Sequence, residues 1–329
     1  MRLQSLILNL TERCNFACAH CSLDCGPEGE DMALSDALSC LQLAARAKAD
    51  SVFLTGGEAT LHPGLLSCIE QAASLGLYNV LPSNGSFRID RLEDFKLAGL
   101  RELHVSYNRF AAHYISSDRV KRIIDSAVRL DITTVLVIIE PNSYAKYEAV
   151  FGDYLRFCQL GLSSFRPIIW AGRATRLPRS LWGLFKSDTL LAMPKSHGFG
   201  IFVSPGGRVS FCPVNQCFAS TTVDLGSDWL DGVVDAFSRE PTVRILVDEG
   251  VSGLLRRSTG TPTTDWCSPF YECNLCIEAT MRQQRLFGQG KNKNIRRYGS
   301  SGQTNTSTKS LVSCAARSSG VSSIQARTV

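Results

Sequence analysis

Cys14-Asn15-Phe16-Ala17-Cys18-Ala19-His20-Cys21 sets three cysteines at the spacing C-x3-C-x2-C. The stretch follows the apolar run Leu3–Leu10, which reads as a buried strand. The cysteines therefore fall in the loop that leaves the C-terminal end of that strand. Such a loop can wrap three thiolates around one inorganic cluster. A [4Fe–4S] cubane normally takes about four protein ligands. Three leave one iron open, as catalytic metal sites keep a position for substrate. A zinc knuckle, or cysteines with no shared ligand, is the other reading of this spacing taken alone.

Working outward, short apolar runs alternate with amphipathic stretches as far as about residue 175. Strands are expected at Leu3–Leu10, Ser51–Leu54, Tyr78–Leu81, Glu102–Ser106, Thr133–Ile139 and Phe165–Trp170. Between them, 35–48, 63–75, 90–98, 119–130 and 147–160 carry helical spacing. Ser35 is a candidate cap for the first helix, and Gly76, Gly99 and Gly161 are candidate stops. Strand–helix units in this order imply an α/β fold with a parallel sheet. They are too few for an eight-stranded barrel, so a partial (β/α)6 TIM-like barrel over 1–190 is expected. In barrels the chemistry sits at the C-terminal strand ends. The glycine-rich and polar segments fall there: Thr55-Gly56-Gly57-Glu58, Ser83-Asn84-Gly85, Ser106-Tyr107-Asn108, Asn142, and Ala171-Gly172-Arg173-Ala174. The two glycines of the first segment let backbone approach a ligand, and Glu58 can accept from an ammonium group. Taken singly, each segment is also ordinary turn chemistry, and Arg173 could be a solvated arginine.

The cysteine triplet, the Gly56-Gly57-Glu58 segment after strand two and the Gly-Arg-Ala segment after strand six together resemble the radical S-adenosylmethionine (SAM) superfamily. The resemblance runs from residue 5 to about 285. It implies a [4Fe–4S] cluster on Cys14, Cys18 and Cys21 with an open iron for SAM. Reductive cleavage of SAM would give a 5′-deoxyadenosyl radical that abstracts a substrate hydrogen. It also implies that Gly56, Gly57 and Glu58 bind the SAM amino group. Asn84 and Ser106, and more weakly Asn142, would lie near its methionine and ribose, and Arg173 would face its carboxylate. An electron donor such as flavodoxin or ferredoxin is implied. Two departures stand out: His20 occupies the usual aromatic position before the third cysteine, and Ala59 follows Glu58 where the family has proline.

After a linking segment at 176–195, Phe199–Val203 and Arg208–Phe211 read as a hairpin around Pro205-Gly206-Gly207. Gly207-x4-Cys212, Leu225-Gly226 and Leu230–Phe237 resemble the auxiliary-cluster domains called SPASM and twitch. With Cys217, Cys267, Cys273 and Cys276, Cys212 implies one auxiliary iron–sulfur cluster in a small cysteine-rich domain over 191–287. The cysteine count favours twitch over full SPASM, and a structural zinc site would also suit four thiolates. Cys212, Cys267, Cys273 and Cys276 make a set of four. Cys217 is then a candidate hydrogen-atom donor, as in radical epimerases, or else a further ligand.

Net charge is +5, but seven bases and no acid lie between Gly288 and Val329, leaving −2 for the rest. A near-neutral body does not suggest nucleic-acid binding. The tail at 288–329 lacks hydrophobic periodicity and is expected to be disordered. No apolar run has the length to span a membrane. The apolar strand begins at Leu3, so no signal peptide is expected. A cytoplasmic setting with reduced thiols is expected. Cys40, Cys68 and Cys158 fall on apolar helix faces, while Cys25 follows the cluster loop and Cys314 lies in the tail. With the barrel pattern starting at Leu3, no leader-binding domain is expected before it. The expected substrate is therefore a small natural product, or a peptide delivered by a partner, with cross-linking, dehydrogenation or epimerisation as possible outcomes. The competing reading is a non-enzymatic zinc-binding α/β protein, which leaves Gly56-Gly57-Glu58 and Arg173 without a role.

Overall fold

Apolar runs become strands because alternate side chains of each can bury on one face while the amphipathic stretches cover that face. The elements are β1 (Ser5–Thr11), α1 (Leu34–Arg46), β2 (Ser51–Gly56), α2 (Leu65–Ser74), β3 (Tyr78–Ser83), α3 (Arg91–Leu97) and β4 (Glu102–Tyr107). There follow α4 (Ser117–Arg129), β5 (Thr133–Ile139), α5 (Tyr144–Phe151), α6 (Asp153–Phe157) and β6 (Ser164–Arg166). The chain closes with β7 (Gly200–Ser204), β8 (Arg208–Ser210), β9 (Ser220–Thr222), α7 (Leu230–Arg239) and α8 (Pro241–Thr259). The structure is a computed structural model that describes residues 1–139, 144–157, 164–166, 168–169, 171–178, 199–212 and 219–259.

Among the described residues the strands form one sheet in the order β6-β5-β4-β3-β2-β1-β7-β8-β9. Strands β1 to β6 run parallel in strict sequence order, as the alternation predicts. Leu6, Leu8 and Leu10 of β1 and Leu103 and Val105 of β4 share an apolar cluster with helix residues. Those include Cys40 and Leu41 of α1, Cys68 and Ile69 of α2, Phe95 of α3 and Ile123 of α4. Cys40 and Cys68 are fully buried core thiols, and burial pushes each up to about 12. They are inert packing residues.

Several local expectations are corrected. Ser35 does not cap α1: the helix starts at Leu34 behind Ala33, with no side-chain cap. The single helix expected over 147–160 is broken at Gly152, whose φ of +48° ends α5 before α6 begins. Strand six is shorter than expected, at Ser164–Arg166. The hairpin at 199–211 is present, but its first strand is hydrogen-bonded parallel to β1, Leu6 opposite Ile201 and Leu8 opposite Val203. It therefore extends the main sheet. Helix α8, kinked at Gly250, was not expected; its apolar spacing is irregular. The tail at 288–329 and the cysteines from Cys267 onward lie outside the described residues.

β1 is irregular at its end. Its register with β2 shifts between Asn9 and Thr11. The shift carries Thr11 and Arg13 across the start of the next loop, where Gly57 N–H donates to the Thr11 carbonyl at 2.7 Å and Glu58 N–H to the Arg13 carbonyl at 2.9 Å. A β-carbon on Gly57 would lie 2.5 Å from the Arg13 carbonyl oxygen and 2.9 Å from Cys14 Cβ. Only glycine lets these two loops lie this close.

Candidate functional site

The cysteine loop is fixed mainly through its backbone, which leaves its thiols available. Cys14 N–H donates to the Gly26 carbonyl at 2.7 Å and Cys21 N–H to the Cys18 carbonyl at 3.1 Å. Phe16 is buried and stacks on Tyr114, with ring centroids 4.6 Å apart, and the Tyr114 hydroxyl lies 3.2 Å from Ala17 N–H. Cys14, Cys18 and Cys21 are each partly exposed.

Four other strand ends converge on this loop. From the β3 end, Asn84 Nδ2 donates to Asn15 Oδ1 at 3.0 Å and lies 3.9 Å from Cys14 Sγ. From the β4 end, the buried Asn108 donates through Nδ2 to His20 Nε2 at 3.2 Å, its Oδ1 accepting from Phe110 and Ala111 N–H. After β6, Arg173 donates its backbone N–H to the Cys21 carbonyl at 2.9 Å and Nε to the Cys18 carbonyl at 3.0 Å. Its Nη1 pairs with Asp24 at 3.0 Å. From the β2 end comes the glycine pair described above. Gly56, Gly57, Asn84 and Arg173 therefore stand together around the thiols. Ser106 is half-buried and paired opposite Val137 near the C-terminal end of β4. Asn142 lies outside the described residues.

Glu58 differs from its expected role. Its carboxylate is buried and turned inward. Oε1 accepts from Thr60 Oγ1 at 2.6 Å, Ser83 Oγ at 2.8 Å and Thr60 N–H at 3.3 Å, and Oε2 accepts from Asn84 N–H at 2.7 Å. Burial raises its pKa against the opposing effect of these hydrogen bonds. The carboxylate ties the loop after β2 to the loop after β3. A ligand's ammonium would meet the backbone of this loop rather than a solvent-facing carboxylate.

The thiols affect one another. Burial, together with the neighbouring Cys14 and Cys21, pushes Cys18 up to about 11. Burial also raises Cys14. A hydrogen bond from the Cys25 thiol brings Cys21 down to about 6, with Arg173 contributing, while Cys25 itself is raised. Cys25 is therefore a buried protonated neighbour of the triplet. His20 is brought down to about 4 by burial and by Arg173, so it is neutral near pH 7. Because Nε2 accepts from Asn108, the proton sits on Nδ1. That nitrogen, and Arg173 Nη2, are buried donors without a partner among the described residues.

These features fit an iron–sulfur cluster with a bound polar ligand. Among the described residues no three His, Cys, Asp or Glu side chains gather round a single ion. A cubane binds each thiolate on a different iron and does not require that convergence. The unpartnered donors of His20 and Arg173 are available to acceptor atoms beside the cysteine loop. Cys212 follows β8 and is partly exposed. Cys217, Cys267, Cys273 and Cys276 lie outside the described residues, so the auxiliary set stays an expectation. Four further residues at the site carry no sequence signal of their own: Asn15 is a variable position within the cysteine spacing, and Phe110, Tyr114 and Asp24 belong to no spaced motif.

Gly172 packs against the loop from the other side. Its φ is +53°, and a β-carbon there would lie 2.6 Å from the carbonyl oxygens of Cys21 and Ser22. Gly172→Ala is expected to cost about 2 kcal/mol or more through strain and clash. The melting temperature should fall by roughly 4–8 °C, with less iron retained. An unchanged melting temperature would show that the loop relaxes around the added methyl group.

Comparison with known proteins agrees with this geometry. Residues 8–141 match the family model described as Radical SAM superfamily. "Probable GTP 3′,8-cyclase" of Saccharolobus solfataricus is 36% identical over 124 residues, 37% of this chain and 38% of the relative. "GTP 3′,8-cyclase, mitochondrial" of Arabidopsis thaliana is 28% identical over 145 residues, 40% of this chain and 37% of the relative. The chain thus matches well under half the length of these curated relatives. Among solved structures, "Native anSMEcpe with bound AdoMet" superposes with a TM-score of 0.56 at 12% identity, over 85% of this chain and 96% of that one. That likeness speaks to the fold alone. Among the described residues, no helix is long and apolar enough to cross a membrane.

Proposed function

We propose that this protein is a radical SAM enzyme that cleaves S-adenosylmethionine reductively and takes a hydrogen atom from an organic substrate. The observation that carries this reading is the convergence of four further strand ends on the three thiols. When bound, the cluster would supply one electron to the sulfonium bond. Cys14, Cys18 and Cys21 would hold it. Their protons must leave for iron to bind, and the Arg173 cation beside Cys18 and Cys21 favours the thiolates. Gly56 and Gly57 bring backbone close to the ligand's amino group. Arg173 Nη2 and His20 Nδ1 offer the unpartnered donors, and Asn84 and Asn108 fix the cysteine loop in register with the β3 and β4 ends.

Modification of a natural product, a peptide or an amino sugar, is the proposed use. An auxiliary cluster on Cys212, Cys267, Cys273 and Cys276, with Cys217 a spare thiol or ligand, belongs to the same proposal. So does an electron donor of the flavodoxin or ferredoxin kind. The matched relatives are named for GTP cyclisation. Their similarity spans only 37–40% of this chain, so it carries no argument for their substrate here.

Metal analysis of anaerobically purified protein tests the reading against a zinc protein. Iron with inorganic sulfide and a brown colour from thiolate–iron charge transfer is expected. Stoichiometric zinc in a colourless protein would overturn it.

A further inference from the structure

A cavity of about 470 Å³ opens beside the cysteine loop, between the C-terminal ends of β1 and β7 and the loop 23–29. Its size falls within the range of small-molecule sites. Asn9 of β1 and Phe202 and Ser204 of β7 form one wall. Glu12, Asp24 and Glu28 bring carboxylates, Arg208 brings the lining's cation, and Cys25, whose thiol hydrogen-bonds to Cys21, lines the side next to the cysteine loop.

Not all of these groups are available to a ligand. Arg208 is engaged by Glu12 at 2.6 Å and Asp24 by Arg173 at 3.0 Å. Two acceptors remain. Asn9 is 3% exposed, and its Oδ1 has no hydrogen-bond partner among the described residues. The Glu28 carboxylate has no counter-ion among them either. A buried carbonyl oxygen without a donor is unfavourable unless a ligand's N–H or O–H reaches it. An anionic ligand would face the unpaired Glu28 carboxylate and a cation already paired with Glu12.

We propose that this cavity is the substrate site and that it takes a small molecule through a primary ammonium group, which donates to Asn9 Oδ1 and faces Glu28. The proposal rests on the radical SAM reading and adds the substrate's charge: an amine-bearing sugar or amino acid fits, and a nucleoside triphosphate does not. The reacting carbon would then lie toward the Cys21–Cys25 wall, beside the cluster loop.

The test is calorimetric titration of the full chain with glucosamine, glucose, lysine amide and GTP. At least one amine probe is expected to bind, and glucosamine to bind about tenfold or more tighter than glucose, a difference of about 1.4 kcal/mol. GTP should not displace it. Glu28 is exposed, so Glu28→Lys should fold normally and weaken amine binding about tenfold or more. Asn9→Leu should act in the same direction. Equal affinity for glucose and glucosamine, displacement by GTP, unchanged amine binding in Glu28→Lys, or no amine binding at about 10 mM would each overturn the proposal. Formation of 5′-deoxyadenosine from SAM by the wild-type protein is measured alongside. Its absence would overturn the radical SAM reading, whereas failed amine binding with SAM cleavage intact overturns only the substrate assignment.

Discussion

Cys18→Ala is expected to abolish 5′-deoxyadenosine formation while leaving the fold intact. The Cys18 carbonyl, not its thiol, holds the loop: it accepts from Cys21 N–H at 3.1 Å and from Arg173 Nε at 3.0 Å. Removing the thiol leaves those bonds in place. The side chain is partly exposed, so little packing is lost and the melting temperature of the metal-free protein should move by only a few degrees. The cluster, however, loses one of its three protein ligands. Changes to groups that merely support a metal ligand typically cost 10–100-fold, so loss of a ligand should lower the rate by more than about 100-fold. Iron content should fall with it. Cleavage at the wild-type rate in Cys18→Ala would mean that the three thiols do not hold the reactive metal.

Glu58→Ala should instead damage the fold. The buried carboxylate accepts from two backbone N–H groups, those of Thr60 and Asn84, and from the hydroxyls of Thr60 and Ser83. The hydroxyls can turn elsewhere, but the N–H groups cannot. Each buried donor left unpaired costs about 1–3 kcal/mol, and the site also loses side-chain packing. A total of about 3–5 kcal/mol is expected, or roughly 6–20 °C in melting temperature. Glu58→Gln keeps the shape but turns an amide NH₂ toward some of these donors, so it should fall between. SAM binding should weaken in both, because Asn84 and the cysteine loop lose their common support. A variant as stable as wild type would show that Glu58 does not join the two loops, and would restore the ligand-facing role read from its sequence motif.

The contrast between Cys18 and Glu58 shows what the sequence makes legible. The cysteine spacing is local, and the loop that carries it follows a strand whose apolar run is plain from Leu3 to Leu10. The strand order β1 to β6 is equally local, because each helix returns the chain to the next parallel position. Glu58 is different. Its burial depends on Ser83 and Asn84 crossing over it from another strand, which no spacing in the segment 55–58 encodes. The pairing of β7 on β1 is likewise non-local: Phe199–Phe211 shows a hairpin with a glycine turn but not the edge on which it adds. Asn9 was hidden inside an apolar run, where a single polar residue looks incidental. Only the placement of β7 beside it and of the 23–29 loop in front of it reveals an acceptor without a donor. Gly152 sits inside a stretch with helical spacing, and nothing in that spacing marks the positive φ at which the helix breaks.

If the loops gathered on Cys14, Cys18 and Cys21 hold a cluster that cleaves S-adenosylmethionine, the cleavage products can be followed directly. The direct measurement is anaerobic: iron- and sulfide-reconstituted wild-type protein, SAM and dithionite, with 5′-deoxyadenosine and methionine followed by chromatography over time. Both are expected to accumulate together in equal amounts, and neither to form without reductant. Iron-loaded protein that binds SAM but yields no 5′-deoxyadenosine under these conditions would contradict the radical SAM reading.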